Sequence, residues 1–385
     1  MKTAALSLSA LALGSTGNCL AQPQAALART YSDDCNQLIR TRIVANADEY
    51  TVKQRQIIYP DEHTPKTTAS SYRCSETQGL AIDNANHRVY VIKTDASSKV
   101  GALYSAPLSA SKKSDFKLVG AFGNSWLGHA NGLCCIPTGS GTRLFVPDSA
   151  SSGNGLIRTI FVPNAAAVDG ADFDPSSLGL GSWICKGFRP RALAWDGISK
   201  KFIARNGRDS SRNEVFCNCY VFAAPTSNTK GTFTIPNVDA KFRVELPSKI
   251  NIHAGVFSSS AESFDAGKKS GRGKQDIAFH GGYLYLPVSD QKDKMYVNKS
   301  GDKRTNRNII LRFKTGSAQS LINVYRSAGT RLYRMDRALL DVSSTIEKGK
   351  QGYEIESIDF FGNQMYLVAN ESPHPKKYDT LRMLV

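Results

Sequence analysis

The chain has 385 residues, 41% of them apolar and 31 of them glycine, enough to build a globular core. Charged residues make up 21%, which excludes wholesale disorder, and no uninterrupted apolar run is long enough to span a bilayer as a helix. The 49 Lys and Arg outnumber the 33 Asp and Glu by 16, so the surface attracts polyanions such as acidic glycans, teichoic-acid-type polymers or anionic lipid heads.

The N-terminus reads as a secretory signal peptide over residues 1–28, with a single domain over 29–385. Lys2 precedes an Ala- and Leu-rich stretch from Ala4 to Leu13 that lacks an amphipathic period. Two small-residue exits follow, at Ala21 and at Ala28, the second being the cleaner. The expected localisation is therefore secreted, extracellular. Eight cysteines fit an oxidising compartment: Cys19, Cys35, Cys74, Cys134, Cys135, Cys185, Cys217 and Cys219. None forms a C-x-x-C pair, so disulfides are expected rather than zinc, with at least one bridge among the cysteines from Cys134 to Cys219. Asn298-Lys299-Ser300 is an N-glycosylation sequon for a eukaryotic host.

Five segments then repeat one pattern of apolar strand, short turn and apolar strand: 78–93, 129–148, 191–205, 275–289 and 356–370. Their turns (DNANH, PTGSGT, DGISK, HGG, FGN) carry the Gly, Asn and Asp that tight hairpins need. The anchors Leu80, Leu133, Leu193, Ile277 and Ile358 are spaced by 53, 60, 84 and 81 residues. Each interval has room for two further strands: 101–108 and 116–122, 155–162 and 182–188, 219–225 and 241–246, 309–315 and 330–336. After the fifth hairpin only 379–385 remains, so the missing outer strand is expected from the segment around Tyr50–Tyr59, closing the ring. The expected fold is all-β, a five-bladed β-propeller closed by pairing of N- and C-terminal strands. A six-bladed variant is the alternative, although 251–274 reads as an exposed insertion.

Two residues before the anchors stand Gln78, Asn131, Arg191, Gln275 and Glu356, followed by the small or polar Gly79, Gly132, Ala192, Asp276 and Ser357. A further two back stand Glu76, His129, Arg189 and Glu354. Residues two apart share a strand face, so these side chains are expected to line the mouth of the central channel. A water-filled channel needs some polar lining in any case. The functional expectation is a ligand site made by Glu76, Gln78, His129, Asn131, Arg191, Gln275, Asp276, Glu354 and Glu356. Glu76, Asn131 and Glu356 offer oxygens suited to calcium, and paired carboxylates near His129 suit acid–base chemistry. No GxSxG, HExxH or strand-linked GxGxxG is present. Two basic loops, at 268–274 and 292–307, hold a single aromatic, Tyr296, which is thin for a nucleic-acid platform.

The segment Tyr353–Asn370 resembles the closing repeat of helveticin-like class III bacteriocins, a Glu-Ser-Ile strand followed by a turn and an apolar strand. His129-Ala130-Asn131 is similar to that family's His-Ala-Glu stretch, with Asn131 in place of the acidic residue. The resemblance covers about a fifth of the chain and implies a secreted propeller with cell-surface or antibacterial action. The leading expectation is a secreted propeller that binds a cell-surface polysaccharide or other polyanion. A metal-assisted propeller hydrolase or lactonase working at the channel is the alternative.

Overall fold

The computed structural model describes residues 30–31, 36–46, 50–60, 70–148, 154–169, 178–206, 216–225, 231–235, 237–247, 249–252, 262–264, 273–274, 276–290, 296–297, 303–304, 307–341, 353–371 and 378–385. Residues 1–28, which include Cys19, together with Cys35, Gln275 and the Asn298-Lys299-Ser300 stretch, lie outside them, as do the side chains of the two basic loops.

Each of the five sequence repeats forms the inner hairpin of its own sheet. Blade 1 runs outward through Ser71–Asp83, Arg88–Asp95, Gly101–Pro107 and Lys117–Phe122. Blade 2 is Cys134–Thr138, Gly141–Asp148, Gly155–Pro163 and Gly179–Cys185. Blade 3 is Pro190–Asp196, Lys201–Asn206, Phe216–Ala223 and Ala240–Glu245. Blade 4 is Ala278–His280, Tyr283–Asp290, Arg307–Lys314 and Met335–Asp341. Blade 5 is Tyr353–Phe361, Gln364–Glu371, Tyr378–Leu384 and, from the other end of the chain, Thr41–Asn46. The inner strands touch in a closed cycle from blade 1 round to blade 5 and back. The protein is a five-bladed β-propeller, and no sixth blade occurs among the described residues.

The turns explain why these hairpins form. Asp83 Oδ1 accepts from the amides of Ala85 and Asn86, and Asp196 Oδ1 from those of Ile198 and Ser199. The same Asx turn therefore closes blades 1 and 3 at equivalent positions. In blade 4, Gly281 and Gly282 both take positive φ, +59° and +80°, the conformation a two-residue hairpin turn demands. Between each pair of neighbouring blades lies one apolar cluster, such as Phe145, Trp183, Phe202 and Phe222 between blades 2 and 3. Each such side chain contributes about 1.5–3 kcal/mol by leaving water.

Ring closure differs from expectation in register. The last strand, Tyr378–Leu384, pairs antiparallel with Thr41–Asn46, not with the segment Tyr50–Tyr59. Tyr50–Lys53 instead pairs with the start of Ser71–Asp83, and Ile57–Ile58 adds to the outer edge of blade 1 in parallel. Parallel edge strands are a theme: Gly231–Ile235 covers blade 2, Arg331–Tyr333 covers blade 3 and Asn36–Ile39 covers blade 4. They occupy hydrogen-bonding edges that would otherwise template association. The stretch 330–336 is accordingly split, its first part edging blade 3 and its end opening the outer strand of blade 4. An 11-residue helix, Ala318–Ala328, packs its Leu321 and Ile322 onto the cluster between blades 3 and 4.

The disulfide expectation fails for the described cysteines. Cys74, Cys134, Cys135, Cys185, Cys217 and Cys219 are all buried thiols. Cys134 and Cys135 are neighbours on a strand and point to opposite faces, into different clusters. Cys217 and Cys219 share a face inside the cluster between blades 3 and 4. Burial pushes the Cys74 thiol up to about 12, and burial raises Cys134 and Cys135 well above the ordinary thiol value. These cysteines act as small apolar fillers.

Candidate functional site

The inner strands all run from one end of the axis to the other, so equivalent residues form rings at successive depths. Three rings stand out.

The first is polar. Glu76, His129, Arg191, Glu354 and Glu356 reach it from blades 1, 2, 3 and 5. His129 feels both Arg191 and Glu76, and Glu356 feels Glu354, Asp379 and Glu76. The sequence expectation rested on regular alternation, but the strands are irregular here. Gln78, Arg191 and Glu356 each fall at a register shift, between Thr77 and Gly79, Pro190 and Ala192, and Ile355 and Ser357. A bulge adds an unpaired residue and re-aims its side chain, so three blades use one device at one position. In blade 2 the equivalent Asn131 precedes the strand, between Ala130 and Gly132 at φ +51° and +127°.

Electrostatics differ across this ring. Glu356 is only 4% exposed, and burial, then repulsion from Glu354, hold its carboxyl well above the usual carboxylate range, although Asn370 Nδ2 donates to its Oε1 at 2.6 Å. Desolvation, then Arg191, lowers the His129 imidazole, so the ring favours neutral histidine. Desolvation also lowers the Arg191 guanidinium, with Arg205 second. Gln78 and Asn131, each 3% exposed, hold a buried carbonyl oxygen without a hydrogen-bond partner among the described residues.

Behind this ring lies a network that sequence reasoning missed. Lys93 and Asp379 form an ion pair with both side chains 0% exposed. Thr77 Oγ1 donates to Asp379 Oδ2 at 2.8 Å, and Lys93 Nζ reaches Thr77 Oγ1 at 3.2 Å. Asn370 accepts from the Thr77 amide at 2.9 Å and donates to its carbonyl at 3.2 Å, stitching blade 5 to blade 1. One signal was available: Lys93 interrupts an otherwise apolar strand, VYVI-Lys-T, where a solvated face would alternate.

The second ring is a constriction made by the small residues after the polar ones. A Cβ on Gly79 would meet Leu133 Cβ at 2.9 Å, and one on Gly132 would meet Asp276 Oδ1 at 2.5 Å. Ser357 Oγ donates to Asp276 Oδ2 and lies 3.0 Å from the Leu80 amide, which donates to it. Asp276 is 0% exposed, and burial drives its carboxyl far above the usual range. The candidate ligand residue Asp276 is therefore a strut of the constriction, sealed from the mouth by close strand approach.

The third ring, beyond the constriction, is apolar. Leu133, Leu193, Ile277 and Ile358 line a cavity of about 210 Å³ at the far end, with Ile82, Phe279, Trp195, Phe360 and Asp359.

The proposed calcium set fares unevenly. Glu76 and Glu356 lie within electrostatic reach of one another. Among the described residues, however, no three His, Cys, Asp or Glu side chains form a group that could hold a metal ion. Glu356 also retains its proton more readily than a calcium ligand should.

No family model matches the chain, and no curated protein matches it. Among solved structures it is similar to Kuenenia stuttgartiensis hydrazine synthase, at 11% identity and TM-score 0.33, over 77% of this chain and 65% of that one. An engineered GH43 glycoside hydrolase with endo-xylanase and exo-arabinofuranosidase activity is similar at 10% identity and TM-score 0.41, over 79% of this chain and 49% of that one. The chain thus spans less than two-thirds of either. A GH43 β-xylosidase/α-arabinofuranosidase from a compost microbial metagenome is similar at 11% identity and TM-score 0.41, over 80% of this chain and 91% of that one. At these scores the comparisons carry no argument about chemistry, and the conclusion that stands is the architecture itself: a β-propeller of five blades.

Proposed function

We propose that the protein works outside the cell and that its polar mouth binds a hydroxyl-rich chain, a cell-surface glycan. The carrying observation is the gathering of three carboxyl groups, an imidazole and a guanidinium from four blades at one end of the axis. Carboxylates accept from sugar hydroxyls, Arg191 donates to them, and buried amide oxygens at Gln78 and Asn131 supply acceptors just beneath. Carboxylates at the mouth repel anionic groups, so sugar hydroxyls meet the mouth while the net charge of +16 draws the acidic groups of the same polymer elsewhere on the surface. The resemblance to helveticin-like proteins adds the proposal that the bound polymer belongs to a competitor's envelope. Binding to neutral and acidic polysaccharides, measured with wild type and with Glu354→Gln and Arg191→Ala, tests the reading. Tenfold weaker binding by both variants at unchanged melting temperature supports it, and binding that ignores both variants overturns it.

One observation favours a second reading at the same ring. A carboxyl that keeps its proton above the usual range, as Glu356 does, is what a general acid requires. On that reading the bound glycan is cleaved, and Glu356→Gln abolishes release of reducing sugar while leaving binding intact.

A further inference from the structure

The far end of the axis has a separate design. All five blades contribute to its cavity: Ile82 from blade 1, Leu133 from blade 2, Leu193 and Trp195 from blade 3, Ile277 and Phe279 from blade 4, and Ile358 to Phe360 from blade 5. Its volume, about 210 Å³, exceeds the ~150 Å³ that holds a benzene molecule in an apolar protein cavity. One six-membered ring with a short arm fills it. Asn84, Pro137 and Gly197, all exposed, stand at its rim and leave it open to solvent.

Into this apolar wall projects one acidic group. Asp359 Oδ2 accepts from the Ile82 amide at 2.7 Å and Oδ1 from the Phe360 amide at 2.8 Å. Each oxygen keeps a lone pair for a further donor. No Lys, Arg or His occurs among the described residues lining the cavity. A carboxylate beside three aromatic rings and without a cationic neighbour in the wall is complementary to a positively charged ligand.

We propose that this cavity is a second small-molecule site, for an organic ammonium carried on a single ring, with Asp359 taking the ammonium and Trp195, Phe279 and Phe360 enclosing the ring. Desolvation holds the Asp359 carboxyl at about 7 against the pull of its two amide donors. The site therefore gains its charge as pH rises past neutrality, and a bound cation favours the charged form. The titratable groups around it are Asp276, the Cys134 and Cys135 thiols, and His280, which stacks on Phe360 with centroids 4.6 Å apart. The site is independent of the glycan-binding reading, because the constriction separates the two.

Calorimetric titration with benzylamine and with its neutral counterpart benzyl alcohol tests the proposal on the full chain. At pH 8 benzylamine is expected to bind at least tenfold more tightly than benzyl alcohol. Its affinity should fall at least fivefold by pH 5.5, with the alcohol unchanged. Trp195→Leu should weaken benzylamine several-fold, and Glu354→Gln at the mouth should leave it unaltered. Asp359→Asn should bring the two probes to equal affinity; if that variant does not fold, the pH profile of wild type carries the same information. Equal affinity for the two probes in wild type, a flat pH profile, or no binding at millimolar probe overturns the proposal.

Discussion

The two ends of the axis are made by the same five strands, and they differ in almost every physical respect. At the mouth the strands are bulged, the rings are charged, and buried groups are held by a lysine–carboxylate network. At the far end the pairing is regular through the tight turns, and the walls are the anchor side chains of the repeat. Irregular pairing, not composition alone, makes the polar end: each bulge frees one residue from the alternation that would send it into the apolar cluster between blades. Four small residues, Gly79, Gly132, Ala192 and Ser357, and the buried Asp276 separate the two regimes by leaving no room.

The largest effect is expected at Lys93, on the polar side. Lys93→Met leaves Asp379 buried beside Glu356 without its cation, and a cost of roughly 3–5 kcal/mol is expected in urea unfolding. Replacing Asp379 by Leu in the same chain should restore most of it. A cost under 1 kcal/mol for the single variant would mean that the network does not hold the polar end. Next comes the divide itself. Gly132→Ala places a Cβ against Asp276 at a positive φ, and strain plus overpacking should cost roughly 2–4 kcal/mol, read as a lowered melting temperature.

A pH titration separates the ends more finely. Folding raises the carboxyl values of Glu356 at the mouth, Asp276 at the divide and Asp359 at the far end, in each case chiefly through burial. A raised acid stabilises the fold below its unfolded value, and that contribution is lost as pH climbs through the folded one, about 7 for Asp359. The melting temperature should therefore fall between pH 5 and pH 8. Glu356→Gln should flatten the mouth's share of the slope, and Asp359→Asn the far end's. A melting temperature that rises over this interval would place compensating cations at these carboxyls. The smallest effect belongs to Glu354→Gln at the half-buried rim, within about 0.5 kcal/mol of wild type in unfolding while weakening glycan binding tenfold.

Much of the ring was legible because hairpin signals are local. Asp83, Asp196 and Gly281-Gly282 announce turns by their own chemistry, and all five repeats form the hairpins they imply. Glu76, His129, Arg191, Glu354 and Glu356 also meet as their positions in the repeat suggest. What stayed hidden was set by distance along the chain. Whether Thr41–Asn46 or Thr51–Tyr59 pairs with the final strand depends on contacts some 340 residues away, and both segments have strand-like composition. Bulges at Gln78, Arg191 and Glu356 leave no mark in a period-two pattern. The cysteines misled because spacing suggests bridges, whereas packing sends each thiol into an apolar cluster.

The N-terminal stretch has a consequence for how the molecule is made. Within residues 36–58, Asn36–Ile39 joins blade 4, Thr41–Asn46 completes blade 5, and Tyr50–Lys53 and Ile57–Ile58 join blade 1. Two of their partners, Met335–Asp341 and Tyr378–Leu384, lie some 300 to 340 residues further along the chain. During translation Tyr50–Lys53 and Ile57–Ile58 find blade 1 early, whereas Asn36–Asn46 waits for the strands of blades 4 and 5, and the ring locks only once those have formed. Such long-range pairing is slow to form. Once formed, the same segment works as a lace through three adjoining blades, and stripping Thr41–Asn46 from blade 5 means pulling on a strand flanked by Asn36–Ile39 in blade 4 and Tyr50–Lys53 in blade 1. Slow assembly and slow release are two faces of that single thread.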